Sequence, residues 1–200
     1  MKGSASPVSP DYTHYLQQPD NCKLVKDIYY SVVNPMLHDM DPDKSVENLR
    51  TGISRLVSDV IPIEEFIITK ELRKRECYTN ACQSQLIVAD KITLRSGGAC
   101  VPQIGDRLPF VIIADKSLPK VNDRAEVPAF VAANCAVNID RMYYLLQKIH
   151  NPIQTLFLPF NALRREVTNI FENARIELSL QIDRQLRISF RVRVCCFGRS

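Results

Sequence analysis

Proline spacing constrains this chain more than any other single feature. Twelve prolines stand against six glycines in 200 residues. Each proline removes a backbone donor and bars an uninterrupted helix or central strand across its position. The expectation is a chain of short elements with many stops, not a bundle of long helices. With 46% hydrophobic and 24% charged residues, the chain has apolar material for one core of ordinary domain size.

The stops divide the sequence into short segments. Residues 1–21 are rich in Ser, Pro, Gln and Tyr without a sustained period, and read as a flexible lead-in. Leu24, Val25, Ile28 and Val32 recur at helical spacing, predicting a helix from Lys23 to about His38 that is stopped by Asn34-Pro35. Asp41-Pro42-Asp43 carries a cap, a first-turn proline and an acidic residue in that order, so a second helix is predicted over about 42–59. Phe66 to Thr69 reads as a short strand or turn. Ser84 to Leu94 reads as an amphipathic helix stopped by Gly97-Gly98, and Leu108 to Ile113 as a β-rich run after a turn at Gly105-Asp106. Two more helices are expected from "RAEVPAFVAAN" and "NIDRMYYLLQKI", the second capped by Asn138 with Asp140 in its first turn. Residues 163–175 have helical character. Beyond them Leu186, Ile188, Phe190, Val192 and Val194 alternate with polar residues, among them three arginines, a period-two pattern that predicts a strand. The fold class is mainly α with short strands (α+β), plus a C-terminal strand.

No catalytic constellation emerges. His14, His38 and His150 lie far apart, and none has a companion at ligand spacing. The seven cysteines include no pair with the two-residue gap of a zinc knuckle, so free thiols in a reducing compartment are expected. Asp39, Asp41 and Asp43 lack the glycine and distal glutamate of a calcium loop, and leave Asp39 and Asp41 only as carboxylates open to magnesium. No apolar run is long enough to cross a bilayer.

Cations are the remaining signal. "PIEEFIITKELRKRE" (62–76) sets the apolar Phe66-Ile67-Ile68 directly before Lys70, Arg73, Lys74 and Arg75, and Lys91, Arg95 and Arg107 follow within forty residues. The net charge of +4 permits an anionic partner without demanding one. A solvated face accounts for most such runs. A surface tracking phosphates is the functional alternative.

The order of several stretches favours the second reading. "IPIEEFIITKELRK" (61–74), "GDRLPFVII" (105–113), "RAEVPAFV" (124–131) and "NIDRMYYLLQKIHNPIQTLFLPF" (138–160) occur in sequence, preceded by "DNCKLVKDIYYSVV" (20–33) and "DPDKSVENLRTGISRLVSD" (41–59). Together they resemble the C-terminal thumb of family B DNA polymerases of viral and eukaryotic type. The resemblance implies a largely helical thumb-like domain over 22–160 and leaves 161–200 as an unassigned basic extension. It implies that Thr69, Lys70, Arg73, Lys74 and Arg75, together with Lys91, Arg95 and Arg107, bind duplex primer-template DNA through its phosphates. Tyr143-Tyr144 match a paired-tyrosine position of the family, and their helical setting points to core packing.

Departures from the family pattern are equally definite. Gln17-Gln18 stand where arginines are expected, and Val127 replaces a usual acidic residue. The palm motifs "YGDTD" and "DxxSLYPS" are missing. Phosphoryl transfer by this family rests on magnesium ions held by fixed carboxylates. The chain therefore reads as a fragment with no catalytic residues, no metal or other cofactor of its own and no polymerase activity alone. Magnesium is expected only with a complete palm, supplied by a palm-bearing polypeptide as partner. The implied setting is the nucleus or a viral replication site of a host cell. The alternative is a degenerate polymerase remnant acting only as a protein-interaction module, its basic strand at 186–194 adding to a partner's sheet edge.

Overall fold

The computed structural model of the protein describes residues 21–58, 61–78 and 83–197, with side chains as far as residue 184. Helix α1 (Lys23–Asn34) buries Leu24, Val25, Ile28, Tyr29, Val32 and Val33, the stripe its periodicity predicts. Pro35 does not stop the helical path. A π-helical turn (Pro35–Asp39) carries it on, and the chain turns at Met40 in a left-handed conformation, φ 53°. Pro35 brings no amide for the Ser31 carbonyl one turn back, and the Asn48 side-chain amide donates to that carbonyl instead, at 2.7 Å. Helix α2 (Pro42–Val57) then begins as expected, with the Asp41 carboxylate accepting from the Lys44 amide at 2.9 Å. It packs on α1 at Gly52, where a Cβ would stand 2.9 Å from Ile28 Cγ1. The missing side chain sets how closely the two helices approach.

A three-stranded antiparallel sheet comes next, in the order β1-β2-β3: β1 (Ile68–Glu71), β2 (Arg107–Ile112) and β3 (Ala125–Glu126). Ile68 opposes Phe110 and Lys70 opposes Leu108 on one face; Thr69 opposes Pro109 and Glu71 opposes Arg107 on the other. Helix α3 (Ser84–Arg95) fills the connection between β1 and β2 and ends at Gly97 and Gly98, whose φ values of 60° and 85° are open to glycine. A short helix α4 (Pro128–Ala133) comes after β3. A composite helix, α5 (141–156), comprises Arg141–Tyr143, a π segment Tyr144–His150, and Asn151–Leu156.

Asn138 is not the cap of α5. Its carbonyl accepts from the Ala114 amide at 2.8 Å, Ile139 bridges Ile113, and the Asp140 amide donates to the Ile112 carbonyl at 2.8 Å. These ladder bonds hold 138–140 extended, so the cap passes to Asp140, whose carboxylate accepts from the Tyr143 amide at 2.9 Å. The larger correction concerns the tail. Helix α6 runs Asn161–Phe197, 37 residues, so the backbone at 186–194 is helical where the alternation predicted a strand. Its earlier part packs along α2, with Val167, Ile170, Phe171, Ala174 and Leu178 buried and Arg50 paired to Glu166 at 2.6 Å. Once a helix is nucleated, each further residue adds a backbone bond, whereas a lone strand gains nothing without a neighbour. The lead-in expected over 1–21 lies, except for Asn21, outside the described residues.

Mainly helical with one small sheet, the architecture matches the expected class, and one hydrophobic core joins all layers. Tyr144 sits at its centre, fully buried. Its hydroxyl donates to the Phe66 carbonyl at 2.8 Å and accepts from the Ile112 amide at 3.2 Å, while its ring meets Phe66 edge-on, centroids 5.1 Å apart. Tyr144→Phe would leave both backbone groups buried without that partner. We expect it to lower unfolding free energy by about 2 kcal/mol. Urea denaturation checks this, with far-UV circular dichroism confirming that native helix content is retained.

Candidate nucleic-acid interface

The cation-rich stretch is built on β1. Phe66 and Ile68 are buried, Leu72 is buried again, and Arg73, Lys74 and Arg75 beyond it are exposed. The apolar run thus anchors a strand whose end delivers three consecutive cations to the surface. Two backbone bonds of 2.8 Å continue the β1–β2 ribbon past the strand: the Leu72 amide donates to the Asp106 carbonyl and the Gly105 amide to the Leu72 carbonyl. Gly105 takes φ 97° at that turn, a conformation side chains rarely adopt. Beyond it the Tyr78 hydroxyl accepts from the Arg73 amide at 2.8 Å, pinning the cation-bearing loop back on itself. No sequence pattern points to Tyr78, because its position five residues from Arg73 matches no period. Only a turn brings them together.

Strand alternation separates the expected residues. Lys70 lies on the row of Ile68 and Leu72 and is half-buried, whereas Thr69 and Arg107 share the opposite face, where the Arg107 guanidinium donates to the Thr69 carbonyl at 3.3 Å. Arg75 pairs with Asp90 on α3 at 2.6 Å, with both side chains more than half exposed. An ion pair so wetted contributes little and leaves Arg75 able to exchange partners. Neither Arg73 nor Lys74 has a side-chain ion pair among the described residues.

Lys91 and Arg95 are differently employed. Both reach from α3 to Glu126 on β3, whose side chain is only 5% exposed. Arg95 grips both carboxylate oxygens, at 2.6 and 3.0 Å, and its guanidinium lies 3.8 Å from the Phe130 ring centroid. Lys91 donates to Glu126 at 3.2 Å and to the Ala125 carbonyl at 2.6 Å. These two cations brace α3 against β3 and α4. Glu126 was the overlooked partner, and its signal was a carboxylate set among apolar residues in "RAEVPAFV", a placement that requires a buried counterion.

Among the described residues no three His, Cys, Asp or Glu side chains gather to hold an ion. Asp41 caps α2 and Asp39 binds Lys44 Nζ at 3.3 Å, so the two do not form a magnesium cradle. Cys22, Cys77, Cys100 and Cys135 are free thiols, and burial pushes the Cys22 thiol up to about 11. No helix among the described residues is long and apolar enough to cross a membrane.

Residues 16–160 match the family model described as "DNA polymerase family B". The chain belongs to that family. The family B polymerases similar to it include the DNA polymerase delta catalytic subunit of Drosophila melanogaster, 36% identical over 140 residues, covering 70% of this chain and 12% of the relative. The same subunit from Mesocricetus auratus is 34% identical over an equal span, and the DNA polymerase of Acanthamoeba polyphaga mimivirus is 33% identical over 143 residues. The chain therefore spans 12% of the length of these delta subunits. In fold it is similar to the family B DNA polymerase of the archaeon Pyrobaculum calidifontis, with TM-score 0.52 over 69% of this chain and 17% of that one at 22% identity. The family match ends where α6 begins, so the helix that packs along α2 lies beyond it.

Burial pushes the Glu126 carboxyl up, but the Arg95 hydrogen bond, the Val127 amide and Lys91 together hold it below the ordinary 4.5. A carboxylate with a depressed folded value stabilises the fold above its unfolded value and loses that contribution as pH falls through the folded one. Glu126→Gln is expected to cost about 2–3 kcal/mol near neutral pH, since it strands two cations against a half-buried face. The gap between the variant and the parent narrows as pH drops below 4.5. Thermal or urea unfolding across a pH series measures it.

Proposed function

We propose that the chain is the thumb of a family B DNA polymerase and grips primer-template duplex through its phosphates during DNA replication. The observation that carries this reading is the β1 ledge: an apolar strand locked into the core releases Arg73, Lys74 and Arg75 to solvent, adjoining Thr69, Lys70 and Arg107 on the β1–β2 ribbon. The relatives are named DNA polymerases, and the match extends along most of the chain. Phosphates are recognised by such guanidinium and ammonium groups without reading sequence, because displaced counterions supply the free energy. Lys91 and Arg95, closed on Glu126, support the ledge from behind instead of contacting DNA.

The reading assigns polymerisation to a palm outside the described residues, because no cluster of carboxylates among them could hold the two magnesium ions. The alternative, a remnant serving only protein interaction, loses its sheet-edge route now that the backbone at 186–194 is helical.

Fluorescence anisotropy of the purified chain with labelled primer-template duplex, titrated at several salt concentrations, tests the proposal. Binding should weaken steeply with salt. Arg73→Ala combined with Lys74→Ala, both exposed, should lower the log–log salt slope by about 2 with unchanged thermal unfolding. Salt-insensitive binding, or an unchanged slope in the double variant, would defeat it. Primer extension by the chain alone should be nil.

A further inference from the structure

Behind the cation ledge lies an open groove of ≈ 590 Å³, walled by the segment following β1, by α3 and by the loop that leads into β2. Its surface is apolar to an extent that a phosphate grip does not use. Leu72 and Leu86 form the floor, and Val101 and Ile104 line the loop wall while remaining 53% and 63% exposed. Large aliphatic side chains held half-bare beside one another are costly unless something covers them. Arg73, Lys74 and Arg75 also line this groove, against Glu76 and Asp90, and Asp90 already holds Arg75. The rim is thus positive, with Arg73 and Lys74 unmatched by an ion pair among the described residues.

We propose that this groove docks an acidic amphipathic segment of a partner polypeptide, with aliphatic side chains on Leu72, Leu86, Val101 and Ile104 and carboxylates on Arg73 and Lys74. The charge complementarity selects acid over base. The apolar floor selects a peptide over duplex DNA, whose bases are stacked away and whose exposed phosphates gain nothing from isoleucine and valine. An unpaired strand fits less well, since no aromatic ring among the described residues lines the groove to receive a base. A groove of this size holds a few aliphatic anchors from one helical face, the usual economy of helix-in-groove recognition. Because Arg73 and Lys74 serve both this groove and the proposed duplex grip, the peptide and the duplex compete, and occupancy of the groove releases the duplex side of the ledge. The competition rests on the duplex reading, but the docking itself does not, because its anchors Val101 and Ile104 take no part in phosphate contact.

The test uses the full chain and a fluorescein-labelled helical peptide bearing leucines on one face and glutamates on the other. Two control peptides replace the glutamates with lysine and the leucines with serine, and labelled oligo(dT) and primer-template duplex are titrated in parallel. Saturable binding of the acidic amphipathic peptide alone is expected, weakened by about tenfold in Ile104→Asp and in Lys74→Glu, as for an anchoring interface residue. Unlabelled duplex should displace it. Val101 and Ile104 are surface residues, so their variants should keep native unfolding behaviour, and Ile104→Asp should bind duplex as the parent does. Equal binding of the lysine or serine peptide, or indifference to Ile104→Asp, overturns the proposal. Binding of oligo(dT) that Ile104→Asp abolishes would overturn it too, by giving the groove to an unpaired strand. Loss of duplex binding with peptide binding intact would count only against the duplex reading.

Discussion

The Tyr144 hydroxyl holds the architecture together. It lies deep in the core, where an unpaired phenol is costly, and it satisfies two backbone groups that the sheet cannot: the carbonyl of Phe66 before β1 and the amide of Ile112 at the end of β2. Burial pushes the pKa of this phenol well above its ordinary range, so it stays a donor at neutral pH. Three segments from distant parts of the chain therefore meet at one oxygen. The π segment that begins at Tyr144 fits this role, since a local widening of a helix re-aims the side chain at its start. The consequence of this clamp is positional: β1 is fixed at its entry, its apolar residues lock down, and the cations beyond Leu72 emerge at a defined place.

Charge in this molecule divides by partner, not by count. Spacing and resemblance make candidates for phosphate contact of every cation from Lys70 to Arg107 named above. The structure gives Lys91 and Arg95 to Glu126, and it leaves Arg73 and Lys74 exposed at the end of a strand. Lys91 and Arg95 stand one helical turn apart on one face of α3, a spacing visible in sequence. Their counterion lies 35 and 31 residues away along the chain, on a strand of 2 residues. No local pattern announces a partner across that separation. Cations on a helix face whose neighbour is unknown cannot be assigned to solvent, ligand or core from the helix alone.

Elements with local causes were readable. The Asp41-Pro42 start of α2, the glycine stop of α3 and the Gly105 turn all depend on residues within one turn of the event, and each appears where expected. The misplaced cap of α5 shows the limit. Asn138 has the better capping chemistry by its position in the string, but Ala114 and Ile112 draw 138–140 into the sheet's edge and move the helix start on. Tertiary hydrogen bonds outweigh a capping preference worth about 1 kcal/mol.

The tail tests the proline constraint itself. Prolines are distributed from Pro7 to Pro159 and then cease for the remainder of the chain. Where they cease, the short-element rule ceases as well, and a 37-residue helix fills the proline-free stretch. The alternation at 186–194 was a weaker signal than that absence, because period-two patterning selects a strand only when a sheet offers an open, matching edge. Here the preceding residues are already helical and fastened to α2 by the Arg50–Glu166 pair and the bond from Gln181 to the Val57 carbonyl at 3.2 Å, while Phe171 packs edge-on against His150 of α5. Extending that helix costs one residue of chain entropy per backbone bond gained, while switching to strand would end the helix and leave a new edge unpaired. The helix wins on backbone hydrogen bonding before any side chain beyond residue 184 is considered.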